Sequence, residues 1–217
     1  MSFRSQPRGW VFGLSEDNCC ARERVWGRRS CAHAQSGAFI YNVIMDRKLV
    51  FIVGSSGAGK TTLSEMLAKE HDYALLSEDN FVFIMNPRTM ITRRLHGDVR
   101  KQGMGCLWAS LEVYLRTGRS VVVEGAFVDG PYYLRDFREV ARKYNYTFVP
   151  ILLDGSERKR RKREKRQGYA VPQEVDLRLK HSAERLGYYR ECAMVDTTKY
   201  RTKERCLKEI TAIIEGQ

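Results

Sequence analysis

Residues 49–61 read Leu-Val-Phe-Ile-Val-Gly-Ser-Ser-Gly-Ala-Gly-Lys-Thr, a continuous apolar run that leads into a glycine-rich turn. Leu49–Val53 has the length of a buried strand and does not alternate with polar residues. Leu63, Met66 and Leu67 then follow at the i, i+3, i+4 spacing of an amphipathic helix. This stretch therefore predicts a strand, a tight turn and a helix in direct succession.

The turn between Gly54 and Thr61 has the pattern Gly-x-x-x-x-Gly-Lys-Thr, which predicts a site for the phosphates of a nucleotide. Its glycines let several backbone N–H groups face one anion, and the following helix adds the positive end of its dipole. Lys60 can reach the β- and γ-phosphates, and the Thr61 hydroxyl can bind Mg²⁺. The predicted phosphate-binding residues are Gly54, Ser55, Ser56, Gly57, Ala58, Gly59, Lys60, Thr61 and Thr62.

From Lys48 onward, apolar strands alternate with helical patterns. Further strands are predicted at 73–76, 121–123, 147–153 and 194–195. Further helices are predicted at about 107–115, 131–144, 173–189 and 206–214. Non-alternating strands separated by helices form a parallel sheet that is covered on both faces. We therefore predict an α/β fold, in which ligands bind at the carboxyl ends of the strands.

Acidic residues follow two of these strands and are candidates for catalysis. Asp79 can accept a proton from an acceptor hydroxyl near the γ-phosphate, or it can merely cap the next helix. Glu78 is the competing candidate for the base. Glu124 ends the run Val-Val-Val-Glu, a pattern that supports Mg²⁺ opposite Thr61. The metal residues predicted here are therefore Thr61 and Glu124.

Residues 157–166 read Glu-Arg-Lys-Arg-Arg-Lys-Arg-Glu-Lys-Arg and carry half of the net charge of +12. A helix of this composition is charged on every side, so we expect it to protrude rather than pack on a core. A lid at about 155–170 that closes over a triphosphate fits this pattern, with Arg163 and Arg166 stabilising charge on the transferred phosphoryl group. The alternative is a solvated helix, a nuclear-targeting signal or a nucleic-acid contact through 158–166.

Residues 81–105 separate the candidate base from the next clear helical pattern, and we predict that they bind the acceptor. The segment contains four arginines, which indicate an anionic acceptor such as a phosphate ester; a solvated surface is the alternative. These are Arg88, Arg93, Arg94 and Arg100.

The composition excludes several classes of protein. In 217 residues, 43% hydrophobic and 11% aromatic residues are enough for a core and exclude global disorder. No apolar run approaches the roughly 18 residues of a membrane span. Six cysteines are too few for a disulfide scaffold, and the N-terminus lacks the apolar stretch of a secretory signal. We therefore expect a cytoplasmic protein that does not associate with membranes.

Residues 1–44 show no sustained period, so we predict a flexible extension and an ordered domain at 45–217 that begins near Met45. The extension contains three cysteines and a histidine whose spacing matches no standard zinc site, and we interpret them as unpaired side chains. These are Cys19, Cys20, Cys31 and His33.

From about Lys48 to its end, the chain resembles the P-loop kinase superfamily, and within it the zeta-toxin-like, polynucleotide-kinase-like and uridine-kinase-like small kinases. The segments that carry the resemblance are Gly54–Thr61, Ser77–Phe81, Val121–Gly125, Leu152–Ser156 and Met194–Thr198. The resemblance implies a three-layer fold with a five-stranded parallel sheet in the order 2-3-1-4-5, Mg-ATP as the donor, and a loop near adenine at 194–198. Three residues after Asp79, where zeta-toxin-like and polynucleotide-kinase-like members have an arginine, this chain has Val82.

The leading hypothesis is an ATP-dependent phosphotransferase that acts on a small hydroxyl or phosphate acceptor, such as a nucleoside, a nucleotide or a similar metabolite. Lys60 and Thr61 would hold the phosphates and Mg²⁺, and Asp79 would be the base. Arg163 and Arg166 would close over the transition state. One alternative is a polynucleotide 5′-kinase that uses the basic run 158–166. A second is a nucleotide-binding ATPase module without an acceptor. The sequence predicts no oligomeric state.

Overall fold

The computed structural model describes residues 46–85, 97–127, 132–166 and 187–217. The predicted extension at 1–44, with its cysteines and histidine, lies outside these ranges. So do Arg88, Arg93 and Arg94 of the predicted acceptor-binding segment, and most of the helix predicted at 173–189.

Strands and helices alternate along the described residues. The strands are β1 (Lys48–Gly54), β2 (Ala74–Ser77), β3 (Val121–Gly125), β4 (Thr147–Asp154) and β5 (Ala193–Asp196). The helices are α1 (Lys60–His71), α2 (Glu78–Met85), α3 (Gly97–Arg116), α4 (Tyr132–Lys143), α5 (Glu157–Arg166) and α6 (Lys203–Glu215), and a short 3₁₀ helix spans Gly187–Tyr189. Each strand lies within two residues of its predicted position.

The five strands form one parallel sheet in the order β2-β3-β1-β4-β5, which confirms the predicted topology. Ser77 is paired in register with Glu124, and Val53 is paired with Gly125. The carboxyl ends of β1, β2 and β3 therefore meet at one edge of the sheet, immediately before α1 and α2.

Apolar residues of β1 pack on both faces of the sheet, because successive side chains of a strand point in opposite directions. Phe51 lies on one face, where its ring centroid is 4.8 Å from that of Phe127 and 4.9 Å from that of Phe137. Val50 and Ile52 lie on the other face, in a core completed by residues of α1 and α6. The architecture is therefore the predicted three layers of helices, sheet and helices.

α3 begins ten residues before the apolar stripe that predicted it, and tertiary contact explains the difference. Its first half contains Gly103 and Gly105, which lower helix propensity. A Cβ atom at Gly103 would lie only 2.9 Å from Cγ2 of Val82 in α2. The missing side chain thus lets the two helices pack closely, and this packing outweighs the weak local preference.

Lys48 connects the first strand to the last helix. It is buried, its Nζ donates a hydrogen bond of 2.7 Å to the carbonyl oxygen of Ile214, and it forms an ion pair of 2.8 Å with Asp46. A cation here matches the negative end of the α6 dipole. None of the described helices is both long and apolar enough to cross a membrane.

Candidate active site

Glycines shape the loop between β1 and α1. A Cβ atom at Gly54 would lie 2.0 Å from the carbonyl oxygen of Leu153, so β1 and β4 approach too closely there for a side chain. Gly57 and Gly59 have φ angles of 72° and 95°, in the left-handed region that glycine adopts without steric cost. The sequence folds into this tight loop because each of the three positions lacks a side chain.

The loop is fixed to the sheet through Ser55. The Ser55 hydroxyl donates a hydrogen bond of 2.7 Å to Oδ1 of Asp154, and its amide donates to the carbonyl oxygen of Leu153 at 3.3 Å. Ser55 is buried, and neither it nor Gly54 lines the cavity described below. Both residues therefore pack against the end of β4 rather than line the cavity.

Lys60 and the start of α1 are arranged for an anion. The Lys60 ammonium group donates to the carbonyl oxygens of Gly54 and Ser55 at 3.1 and 3.2 Å, which keeps it against the loop. Gly59 precedes the helix, and no side chain of the described residues caps it. Helix N–H groups that lack a side-chain cap are a common binding site for phosphate.

A cavity of about 560 Å³ opens beside the loop. Cavities that bind small molecules usually measure roughly 300–1,000 Å³. Its lining combines the phosphate-loop residues, Lys60 among them, with three further basic and two acidic side chains. The lining residues are Ser56, Gly57, Ala58, Gly59, Lys60, Thr61, Thr62, Leu63, Asp79, Glu124, Arg163, Thr197, Tyr200, Arg201, Thr202, Lys203 and Cys206.

Glu124 is the buried carboxylate of the cavity. It is 2% exposed, its Oε1 accepts a hydrogen bond from the Ser77 hydroxyl, and Thr61 Oγ1 donates to the same oxygen at 3.4 Å. Burial raises the pKa of Glu124, and the nearby charge of Asp79 raises it further. The Ser77 hydrogen bond and the Lys60 charge lower the pKa, but the net shift is upward.

The Thr61 hydroxyl and the Glu124 carboxylate fit Mg²⁺, because both are the oxygen ligands that this ion prefers. No group of three or more acidic, histidine or cysteine side chains suited to a metal occurs in the described part of the chain. When bound, Mg²⁺ would neutralise charge on the phosphates.

The two adjacent acids after β2 have different surroundings. Asp79 is exposed, lines the cavity and forms no hydrogen bond to any residue that the structure describes. Glu78 is buried and accepts hydrogen bonds from the amides of Ala126 and Phe127, both at 2.9 Å, and from the guanidinium of Arg100. Of the two candidates for the base, only Asp79 has its carboxylate open to the cavity.

Arg163 joins α5 to the phosphate loop. Its Nη1 donates to the carbonyl oxygens of Gly57 at 2.9 Å and of Ala58 at 3.2 Å, and to the hydroxyl of Thr197 at 3.2 Å. Arg166 ends the same helix, and its side chain lies outside what the structure describes. The geometry therefore brings Arg163 to the cavity, and the role of Arg166 stays a prediction.

The expectation that no face of the charged helix packs is wrong. Arg160 is only 6% exposed, and its Nε donates to the carbonyl oxygen of Gly155 at 2.9 Å and lies 3.6 Å from Oδ1 of Asp154. The Asp154 carboxylate compensates the buried charge of Arg160. A helical pattern of hydrophobicity cannot reveal such an ion pair. On the opposite side, Arg158, Lys159 and Lys162 are exposed, so nucleic-acid contact through 158–166 stays a prediction.

Residues 200–203 and Cys206 also line the cavity, and the sequence analysis did not find them. The resemblance pointed only to 194–198, of which Thr197 reaches the cavity. Thr202 precedes α6 and its hydroxyl accepts a hydrogen bond from the Arg205 amide, so a helix cap was the available signal. A cap shows where a helix begins but not which cavity it faces.

The parallel sheet in the order 2-3-1-4-5 and the phosphate loop between β1 and α1 define the P-loop kinase superfamily. This confirms the resemblance. The chain belongs to the family described as an AAA domain, whose model matches residues 49–205. No curated protein matches the chain in sequence.

Solved structures share the fold at low sequence identity. A putative kinase from Chloroflexus aurantiacus J-10-fl superposes with a TM-score of 0.56 and 20% identity, over 79% of this chain and 97% of that one. A gluconokinase from Sinorhizobium meliloti 1021 gives 0.53 and 20%, over 78% and 93%. Shikimate kinase from Acinetobacter baumannii, in complex with shikimate, gives 0.57 and 17%, over 79% and 95%.

Proposed function

We propose that the protein is an ATP-dependent phosphotransferase that moves the γ-phosphoryl group of Mg-ATP to the hydroxyl group of a small acceptor. The observation that carries this proposal is that Lys60, Thr61, Glu124 and Asp79 line one cavity. The first two serve the phosphates and the metal, and the open carboxylate of Asp79 is available for a proton. Kinases among the structures of the same fold support the proposal.

The free carboxylate favours a hydroxyl acceptor over a phosphate acceptor. A hydroxyl group must lose a proton as its oxygen bonds to phosphorus, whereas a phosphate oxygen is already ionised at neutral pH. In the proposed step, the acceptor oxygen attacks the γ-phosphorus, the bond from that phosphorus to the bridging oxygen of ADP breaks, and Asp79 takes the hydroxyl proton. A nucleoside, a nucleotide or a similar metabolite supplies such a hydroxyl group.

The cationic side chains supply electrostatic stabilisation rather than covalent chemistry. Lys60 lies beside the loop and can follow the β- and γ-phosphates. Arg163 already lies at the cavity with its guanidinium on the loop carbonyls, and we propose that Arg163 and Arg166 stabilise charge on the transferred group. Positioning and charge account for most of the catalysis in phosphoryl transfer.

The test is a transfer screen with γ-labelled ATP across nucleosides, nucleotides, sugars, sugar acids and oligonucleotides, with Lys60→Ala as the blank. Asp79→Asn should keep its affinity for Mg-ATP and lose transfer, because the amide cannot take the proton. Asp72→Asn is the matched control: Asp72 is exposed, lies outside the cavity and has a φ of 53°, which asparagine tolerates.

Three results would redirect the proposal. Full transfer by Asp79→Asn would remove that residue from the base role. Label found only on oligonucleotide 5′ ends would favour the polynucleotide kinase. Hydrolysis that no acceptor stimulates would favour the ATPase module.

A further inference from the structure

The carboxylate of Glu78 joins three segments of the chain next to Asp79. Glu78 is 3% exposed. Its Oε2 accepts hydrogen bonds of 2.9 Å from the amides of Ala126 and Phe127, and its Oε1 accepts one from the guanidinium of Arg100. Two amides and a guanidinium satisfy a buried charge that would otherwise be costly.

The segment after β3 is shaped around this carboxylate. A Cβ atom at Gly125 would lie 2.6 Å from Oε2 of Glu78 and 2.7 Å from its Cβ, so no side chain fits there. Phe127 has a φ of 41°, a left-handed conformation that a bulky residue adopts only when its surroundings impose it. Its amide is bound by Glu78 and its carbonyl oxygen by the hydroxyl of Tyr189, at 2.8 Å. The strained residue is thus fixed from both sides.

This contact joins two chain segments that each carry an acidic residue of the cavity. Glu78 directly precedes Asp79, while Ala126 and Phe127 follow Glu124 by two and three residues. A shift of Glu78 relative to the two amides would therefore change the separation of Asp79 and Glu124. Phosphoryl transfer depends on such separations, since the acceptor, the phosphate and the metal must align.

The same carboxylate fixes α3. Arg100 lies in α3, its side chain is 14% exposed, and it belongs to the 81–105 segment predicted to bind the acceptor. One acidic side chain therefore connects the neighbour of the candidate base, the segment after the metal-supporting strand, and a helix of the predicted acceptor region.

We propose that Glu78 is a positioning residue, which sets the placement of Asp79 relative to Glu124 and anchors the 125–127 segment and α3. Its effect on turnover rests on the proposed function, whereas its anchoring of the amides does not. Glu78 does not act on substrate itself, because both of its oxygens are occupied.

Two variants and a control test the proposal. Glu78→Ala removes every contact, and Glu78→Gln keeps a carbonyl oxygen for the two amides but places an NH₂ group against Arg100. Glu70→Gln makes the same chemical change at an exposed position of α1 outside the cavity. The measurements are kcat and KM for ATP and for the acceptor found in the screen, the Kd for Mg-ATP, and hydrogen exchange at the amides of Ala126 and Phe127.

Glu78→Ala should lower kcat by roughly 10- to 100-fold, the effect of misplacing reacting groups by about 1 Å, and leave the Kd for Mg-ATP within about threefold. Protection of the two amides should fall in Glu78→Ala and persist in Glu78→Gln, whose kcat should lie between that of Glu78→Ala and wild type. Glu70→Gln should match wild type throughout.

Wild-type kcat in Glu78→Ala, or unchanged protection of Ala126 and Phe127, would overturn the proposal. So would a loss of turnover fully explained by a smaller folded fraction, measured by thermal unfolding. If the wild type transfers phosphate to no acceptor, the proposed function fails, and the amide exchange alone decides whether Glu78 anchors the 125–127 segment.

Discussion

Nη1 of Arg163 donates a hydrogen bond to the carbonyl oxygen of Gly57 across 2.9 Å, so the charged helix α5 is attached to the turn of the phosphate loop. The backbone of the helix is equally close, since a Cβ atom on Gly57 would lie 2.9 Å from the carbonyl oxygen of Arg160. We therefore expect a displacement of α5 to move the loop that faces the cavity.

Gly57→Ala should destabilise the protein by about 1–2 kcal/mol, because the left-handed φ of 72° carries that cost for a residue with a Cβ atom. The new methyl group would also press on α5 and weaken Mg-ATP binding. Gly105→Ala is the control, since no atom of the described residues lies within 4 Å of its added Cβ and the helix interior favours alanine. We expect Gly105→Ala to be about 0.5–1 kcal/mol more stable than wild type in urea unfolding. Equal stability changes in both variants would contradict this account.

Arg163→Gln should weaken Mg-ATP binding and lower turnover, because it removes the charge and the Nη1 donor that binds the loop carbonyls. We expect a loss of stability of roughly 1.5–3 kcal/mol, the range for hydrogen bonds that involve a charged group. Arg158→Gln removes the same charge from the exposed side of α5 and should change both properties little. Isothermal titration with Mg-ATP and thermal unfolding measure the difference. Equal behaviour of the two variants would show that only the net charge of the helix matters.

Glu124→Gln should abolish transfer and yet stabilise the metal-free protein at pH 7. Burial raises the pKa of Glu124 above its ordinary 4.5, so the folded state binds this proton more tightly than the unfolded chain. The wild type therefore loses stability as the pH rises from about 4.5 through the raised pKa, and the uncharged amide removes that loss. The Gln oxygen can still accept the hydrogen bonds from Ser77 and Thr61.

Thermal unfolding of this variant in EDTA at several pH values provides the test. The melting temperatures of the variant and wild type should converge below pH 4.5 and separate as the pH increases, by about 2–4 °C for each kcal/mol in a chain of this size. A variant less stable than wild type at pH 7 would contradict the assignment of a costly buried charge.

Lys48→Met should destabilise the fold by about 1–3 kcal/mol without altering turnover per folded molecule. The substitution leaves the carbonyl oxygen of Ile214 buried without its donor and removes the partner of Asp46. Lys69→Met, at an exposed site near the end of α1, is the matched control. Chemical unfolding and kcat, normalised to folded protein, should separate the two. A change in KM for ATP in Lys48→Met would contradict the prediction, because it would show that the contact between β1 and α6 affects ATP binding in the cavity.

The fold was readable from the sequence because its central strands contain unbroken apolar runs. The run Leu49–Val53 can only be buried on both faces, and Val121–Val123 repeats the pattern. The glycines of the phosphate loop add a motif whose backbone requirements are strict. Local patterns of this kind need no knowledge of distant contacts.

The rest of the site depends on contacts between distant residues. Arg160 reads as one more charge in a basic run, and only the proximity of Asp154 explains its burial. The sequence alone does not distinguish the adjacent acids Glu78 and Asp79. The hydrogen bonds that bury Glu78 come from residues 22 to 49 positions later, namely Arg100, Ala126 and Phe127. Tyr200 joins the cavity through the placement of the turn after β5, which no local pattern encodes.

The central strand is also the earliest that the ribosome makes among the five. The amide of Lys48 donates a hydrogen bond to the hydroxyl of Ser120, 72 positions later. Its Nζ donates one to the carbonyl oxygen of Ile214, 166 positions later. During translation, the most apolar ribbon of the domain therefore emerges long before either adjoining strand exists, and contacts of such long range form slowly. Leu49–Val53 therefore stays without its partner strands while synthesis continues, and transiently exposed apolar segments of this kind favour aggregation.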